Sequence, residues 1–379
     1  MSRSIFLLAG EASGDLHGAN LARALLKQDP SIRLDGWGGS RMSAAGVTLH
    51  RGLKDLAFMG YVEVLANIMT IRRSFALIKK YLSERRPDAL VLIDYPGFNL
   101  KIARWAHNQG IRVFYFISPT VWAWKEKRVY TIRESVDRLY CIFPFEVDFY
   151  KRYDVDVTYV GNPLLDNVAA YTPDPDFTQN NSLNAGQYIA VLPGSRLQEL
   201  YKIFPLIVET MKTMPGRQFV IARTSLLPEN SFTGILDKHH PGWQDHISLI
   251  TDRTYDVLHN ASSAMVTSGT ATLETALLRI PEVVCYITNP VNYRIARAFV
   301  RLRYISLVNL IADRPIVKEL IQSELNVRNL AAELTALEED TDYRNNMLSG
   351  YEQLAKMIGE PGVAERMAAD MLNRIYNNI

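Results

Sequence analysis

Short, uninterrupted apolar runs alternate along this chain with segments whose apolar positions recur at helical spacing. In the first half the runs are Ile5 to Ala9, Ala89 to Ile93, Val113 to Ile117, Leu139 to Phe143 and Val157 to Val160. Runs of four or five residues bounded by turns read as strands, and strands alternating with helices predict a mostly parallel, doubly wound α/β sheet. Between Asn162 and Gln187 the pattern breaks, and Pro, Asp, Asn and Thr dominate around Pro173-Asp174-Pro175-Asp176. A second series follows: Tyr188 to Leu192, Gln218 to Ala222, Ile247 to Ile250, Ala264 to Thr267 and Glu282 to Ile287. The last forty or so residues are helical without strands, and their apolar positions need a partner surface.

The expected organisation is a first Rossmann-like domain over 1–165, a linker over 166–186, a second Rossmann-like domain over 187–345 and C-terminal helices over 346–379. The length of 379 residues agrees, being about twice a usual domain. A hydrophobic share of 48% is ordinary for a globular chain, and a net charge of +2 argues against a generic polyanion binder such as a nucleic-acid protein. Cys141 and Cys285 lie far apart in strand-like runs with no C-x-x-C spacing, so both read as buried thiols in a reducing compartment. Ile5 to Ala9 is too short for a signal-peptide core, and no apolar run reaches the roughly 20 residues that span a bilayer. A cytoplasmic protein able to touch a membrane surface is expected.

Four strand ends carry candidate chemistry. The first strand runs into Gly10-Glu11-Ala12-Ser13-Gly14-Asp15, where a dinucleotide fingerprint would place bare glycine amides. Glu11 and Asp15 repel phosphate and accept from hydroxyls or amines, so this turn suits a polyhydroxyl acceptor. A nucleotide belongs elsewhere. The strand ending at Leu192 leads into Pro193-Gly194-Ser195-Arg196, where backbone amides at a helix N-terminus and a planar guanidinium suit a diphosphate; a tight turn with a solvated arginine is the bland alternative. Ser268-Gly269-Thr270, followed by Glu274 one turn into a helix, repeats the arrangement, with Glu274 placed to take ribose hydroxyls; a capping box would give the same letters. Asp94, at the tip of the strand Ala89 to Ile93 and fixed by Pro96, is placed to act as a general base on a bound hydroxyl, or simply to cap a helix. The histidines show no metal-ligand spacing, and Arg196 with helix N-termini could offset the charge on a nucleoside diphosphate leaving group, so neither metal nor cofactor is expected.

Residues 58–82 carry more apolar surface than one packed face needs. Leu65, Ile68, Ile71, Phe75, Ile78 and Leu82 form a buried stripe, yet Val62, Val64, Met69 and Leu77 lie off it among Arg72, Arg73, Lys79 and Lys80. A lipid-facing segment explains the excess, as does a helix buried on two sides. Arg294, Arg297 and Arg301 fall on one helical face and could attract a lipid phosphate; a solvated basic face is the alternative.

With the Gly10–Asp15 motif, Ser118-Pro119-Thr120-Val121-Trp122-Ala123-Trp124, Leu192–Arg196 and Ser268-Gly269-Thr270 in this order, the chain closely resembles the lipid-A-disaccharide synthases from about residue 4 to about residue 375. The resemblance implies a GT-B fold, with two Rossmann-like domains facing across a cleft, and a metal-independent inverting transfer. It implies the donor UDP-2,3-diacylglucosamine and the acceptor 2,3-diacylglucosamine 1-phosphate, at the inner face of a Gram-negative inner membrane. Asp94 matches the family's proposed base, Glu11, Arg196 and Asn309 match other residues that activity depends on, and Ser268, Gly269, Thr270 and Glu274 fall in the UDP-binding part. A homodimer with exchanged C-terminal parts is implied as well. Asn162 stands where the commoner family pattern has a histidine, which removes an imidazole from the domain junction, and Gly97 stands where it has an aspartate, leaving Asp94 the only acid in its turn. The competing expectations are another GT-B UDP-sugar enzyme, either a lipid-linked glucosaminyltransferase or a 2-epimerase, and a non-catalytic lipid-binding protein of the same fold.

Overall fold

The computed structural model describes residues 3–53, 68–289, 293 and 303–377. The chain divides into two compact units, residues 1–166 with 360–379, and residues 167–359. In the first, seven strands, β1 (Ser4–Ala9), β2 (Arg33–Gly38), β3 (Thr48–Gly52), β4 (Ala89–Ile93), β5 (Arg112–Phe116), β6 (Arg138–Cys141) and β7 (Val157–Tyr159), form one parallel sheet in the order β3-β2-β1-β4-β5-β6-β7. In the second, β8 (Tyr188–Leu192), β9 (Gln218–Arg223), β10 (Ile247–Thr251), β11 (Ser263–Thr267), β12 (Glu282–Tyr286) and β13 (Lys318–Ile321) form another, in the order β10-β9-β8-β11-β12-β13. Both orders reverse direction after their first strand, so each sheet opens a crevice beyond the carboxyl ends of two central strands: β1 and β4 in one unit, β8 and β11 in the other.

The central strands are apolar on both faces because helices cover both. Ile5, Leu7 and Ala9 pack on one side of the first sheet, Phe6 and Leu8 on the other, all fully buried. β2 and β3 carry no apolar run and escape a pattern reading. Arg-Leu-Asp-Gly-Trp-Gly forms a strand because Gly36 and Gly38 let the chain approach its neighbours: a Cβ at Gly36 would lie 2.6 Å from the Leu7 carbonyl oxygen, and one at Gly38 2.4 Å from the Met42 sulfur. The short edge strand β13 is similarly masked by Lys318 and Glu319.

The boundaries differ from those expected for a linker and a helical tail. Phe177 and Leu183, within the supposed linker, are buried in the core of the second unit. The helix Thr341–Ile358 belongs to that unit, while the helix Val363–Asn377 returns to the first. Its Val363, Met367, Met371 and Ile375 recur every four residues and are buried in the same core as Leu21 and Leu25 of the helix Ala12–Gln28. Burying each such side chain contributes about 1.5–3 kcal/mol. That is the partner surface the C-terminal apolar positions needed. Cys141 and Cys285 are free and buried.

Candidate active site

The second unit's switch point gathers the residues expected to hold a nucleotide. β8 ends at Leu192 and turns through Gly194, whose φ of +101° glycine adopts without the steric cost of a side chain. Arg196 then caps the helix Leu197–Lys212, its guanidinium mostly exposed and held 3.1 Å from Glu199. Beside it β11 ends at Thr267, and Ser268 and Gly269 lead into the helix Thr270–Leu277. Gly194, Ser195, Arg196, Ser268, Gly269, Thr270 and Glu274 all line one cavity of about 450 Å³. Glu274 accepts a hydrogen bond from the Tyr255 hydroxyl at 2.7 Å, and burial pushes its carboxyl above the ordinary range. Two helix N-termini, small residues and one arginine make this cavity attractive to a phosphate-bearing ligand.

Asn309 lies behind that cavity rather than in it. Its side chain is buried, donating to the Val317 carbonyl and Glu319, and accepting from the Ile316 and Val317 amides. Glu319 in turn accepts from the Ile305 and Ser306 amides and the Ser306 hydroxyl, and Ser268 donates to the Ile305 carbonyl at 3.0 Å. Asn309 is thus linked through Glu319 to the Ile305–Ser306 segment that Ser268 contacts. Glu319, which sequence pattern did not single out, joins the two.

At the first unit's switch point the carboxylates have separate fates. Asp15 is buried and accepts from the backbone amides of Gly39 (2.7 Å), Arg41 (3.1 Å) and Met42 (3.1 Å). It caps the helix Ser40–Ala44. The carboxylate expected to meet the acceptor is thus bonded to the backbone of the following strand-to-helix turn, a structural use of its oxygens in which the Met42 amide is the buried partner. Glu11 occupies the position before the helix Ala12–Gln28, half-buried at the strand end. Gly10 lets the Tyr95 ring approach, since a Cβ there would lie 2.5 Å from it.

Asp94 sits at the tip of β4 in an unusual backbone. It and Tyr95 are consecutive non-glycine residues in the left-handed region, at φ +46° and +50°. The surroundings over-determine that conformation. The Asp94 amide donates to the Phe116 carbonyl at 2.9 Å, while its own carbonyl accepts from the Tyr115 hydroxyl (2.6 Å) and the Asn99 amide (2.7 Å). Burial raises the Asp94 carboxyl above its usual range, opposed by a hydrogen bond from the Tyr95 amide. A desolvated carboxylate on a strained, braced turn has the features of a proton acceptor.

The Ser118–Trp124 motif follows β5, next to Asp94. It is anchored by Glu146, a fully buried residue that the sequence pattern did not single out: Glu146 accepts from the Ser118 hydroxyl, the Trp122 indole at 2.9 Å, and the Ile142 and Phe143 amides. Burial pushes Glu146 up to about 7. The signal was local, since Phe143-Pro144-Phe145-Glu146 opens the helix Pro144–Lys151 with proline at its start and a glutamate at the capping-box position.

Of the expected lipid-facing residues, Met69 and Leu77 are exposed on the helix Ile68–Arg85, at 61% and 48%, while Ile78 and Leu82 are buried as the stripe requires. Val62, Val64, Arg294, Arg297 and Arg301 lie outside the described residues. Among the described residues no helix is long and apolar enough to cross a membrane, and no cluster of three metal-ligating side chains occurs.

A model of the lipid-A-disaccharide synthetase family matches residues 5–369. The chain belongs to that family. Lipid-A-disaccharide synthase from Geobacter sulfurreducens is 37% identical over 383 residues, covering 100% of this chain and 99% of the relative. The protein of the same name from Syntrophus aciditrophicus is 38% identical, covering 99% and 98%. Solved structures extend the fold: UDP-GlcNAc 2-epimerase from Neisseria meningitidis bound to UDP-GlcNAc superposes with a TM-score of 0.62 at 14% identity over 98% of this chain and 100% of that one. Sucrose-phosphate synthase from Thermosynechococcus elongatus gives 0.62 at 14% over 100% of both. At such identities these establish the GT-B fold alone. For this member of the lipid-A-disaccharide synthetase family the glycosyltransferase reading in lipid A biosynthesis stands, and neither the epimerase nor the non-catalytic alternative is favoured.

Proposed function

We propose that the protein transfers 2,3-diacylglucosamine from UDP to the 6-hydroxyl of 2,3-diacylglucosamine 1-phosphate, yielding lipid A disaccharide 1-phosphate and UDP. The observation that carries the mechanism is the desolvated Asp94 carboxylate on its braced turn. In a single inverting displacement the acceptor 6-hydroxyl attacks the anomeric carbon as the bond to UDP breaks. Asp94 takes the hydroxyl proton, and the leaving diphosphate is stabilised by Arg196 and the helix N-termini around Gly194–Ser195 and Ser268–Thr270. Glu274 holds the ribose, Glu11 orients the acceptor, and Asn309 acts through the segment that Ser268 contacts. The charge on the leaving group is met by protein groups, so no metal is required.

Exposed Met69 and Leu77, among the cations of the same helix, support docking on an anionic membrane surface, the inner face of the inner membrane. The working form is a homodimer. The test is incubation of purified protein and chelator with UDP-diacylglucosamine and the acylated glucosamine 1-phosphate, followed by mass spectrometry. UDP and a disaccharide phosphate are expected; UDP formed without disaccharide, or no turnover until metal is added, contradicts the mechanism.

A further inference from the structure

One groove of the first unit, about 270 Å³, has no part in the chemistry above. It opens where the Asp94 turn becomes the helix Pro96–Asn108 and is lined by Lys101 and Arg104 of that helix and Arg128 of the helix Arg128–Ser135. None of its lining residues is acidic. Lys101 and Arg104 are three residues apart and share a helix face. Arg104 has a counter-charge in Glu134 at 3.5 Å and also donates to the Thr131 hydroxyl at 3.2 Å.

Aromatic rings support two of these cations from the side. Lys101 lies 5.7 Å from the centre of the Phe75 ring and Arg128 6.0 Å from that of Trp124, arrangements that restrain the side chains without using their hydrogen-bond donors. Gly97 leaves the helix N-terminus uncovered, since a Cβ there would meet nothing within 4 Å. The groove thus combines three cations from two helices with the positive end of a helix dipole.

Its position relates it to Asp94. At 1.5 Å rise per residue, Lys101 stands roughly 7 Å along the helix from Pro96, about the span of a hexose ring. Arg128 is close enough for its charge to act on the Tyr115 hydroxyl, which donates to the Asp94 carbonyl. Phe75 belongs to the same helix as the exposed Met69 and Leu77. A phosphate monoester on a lipid whose acyl chains follow that helix would enter here.

We infer that Lys101, Arg104 and Arg128 form the subsite for the acceptor's phosphate monoester, one sugar ring away from the hydroxyl that Asp94 deprotonates. The inference rests on the transferase reading above and adds the group by which the acceptor is told apart from an unphosphorylated diacylglucosamine. Phosphate and a planar guanidinium pair well, and removing any one charge-assisted hydrogen bond should weaken binding about tenfold.

The test measures binding of 2,3-diacylglucosamine 1-phosphate and of unphosphorylated 2,3-diacylglucosamine, both in neutral detergent micelles, to the parent and to the double variant Lys101→Gln/Arg128→Gln. The parent should prefer the phosphorylated lipid by about 10² and the double variant should keep less than about threefold preference. Because the readout is a ratio within one protein, loss of folded material cancels. No preference in the parent, or an undiminished one in the variant, overturns the subsite. Binding to phosphatidylglycerol vesicles is measured alongside: loss there with an unchanged lipid ratio would assign the cations to the membrane surface and equally overturn it. Turnover of the phosphorylated acceptor by the parent is read in the same series, and its absence would remove the transferase reading while the binding ratio still decides the subsite.

Discussion

At the second unit's switch point, glycines, hydroxyl residues and one arginine converge on a single cavity. At the first unit's switch point, the same topology presents carboxylates, of which Asp15 is consumed by three backbone amides while Asp94 is held desolvated on a left-handed turn. The sheet order makes the crevice in both cases. What differs is the residue placed at each strand tip, and on the proposed mechanism that difference separates anion binding from proton acceptance. A doubly wound sheet supplies a location, and the charge of the first turn after each strand sets which ligand groups that location can favour.

The largest effect that would break this comparison is expected at Asp94. Asp94→Asn keeps shape while removing basicity, so turnover should fall by about 10² to 10⁴ with UDP affinity unchanged. If Asp94 were only a cap, asparagine would serve nearly as well and the rate would stay close to the parent's. Initial rates and a UDP titration on the one variant separate the two.

Next comes Arg196. Its replacement by alanine should weaken UDP binding by about tenfold to a hundredfold, the scale of one hydrogen bond to a charged group, and lysine should restore part of the loss because an ammonium lacks the planar fork. Calorimetry that finds parental affinity in Arg196→Ala would move the diphosphate away from this loop.

Asp15 sharpens the comparison through stability rather than rate. Asp15→Ala leaves the Gly39, Arg41 and Met42 amides without their acceptor and should cost about 1–3 kcal/mol in unfolding free energy. Denaturant melts would detect this, and a variant with parental stability but a raised acceptor KM would return Asp15 to the binding role its sequence position suggested. The smallest stability change is expected on the outer helix face, where Met69→Ser with Leu77→Ser should stay within about 0.5 kcal/mol while vesicle co-sedimentation falls. A larger loss of stability would identify these side chains as packed.

Much of this fold was legible because its central strands are covered on both faces and so appear as bare apolar runs. β2, β3 and β13 were not, because glycine, polar and charged residues interrupt the run. The second unit's cavity was legible as well: small residues and a cation stand directly between strand and helix, and the partners that matter are local. The structural bonds of Asp15 were not legible because the amides it caps lie 24 to 27 residues further on, a pairing no local pattern contains. Glu146 holds the Ser118–Trp124 segment across 24 to 28 residues and Glu319 the Ile305–Ser306 segment across 13 to 14, both beyond the reach of a local pattern. Asn309 came from family resemblance alone, and only the structure shows its side chain bonded to the Val317 and Ile316 backbone, outside the cavity lining.

The central claim, that a desolvated carboxylate at the first switch point accepts the acceptor's proton, is tested most directly by the pH profile of kcat/KM for the acceptor at saturating donor. Burial raises the Asp94 carboxyl, so it holds its proton to higher pH than an ordinary aspartate, and the basic form appears only above that raised value. The parent's rate should therefore rise with pH through a single ionisation lying above the usual carboxylate value of about 4, and Asp94→Asn should be slow with that limb absent. A limb that persists unchanged in Asp94→Asn would assign the ionisation to another group, with Glu146, raised to about 7, the first to examine, and would contradict the account.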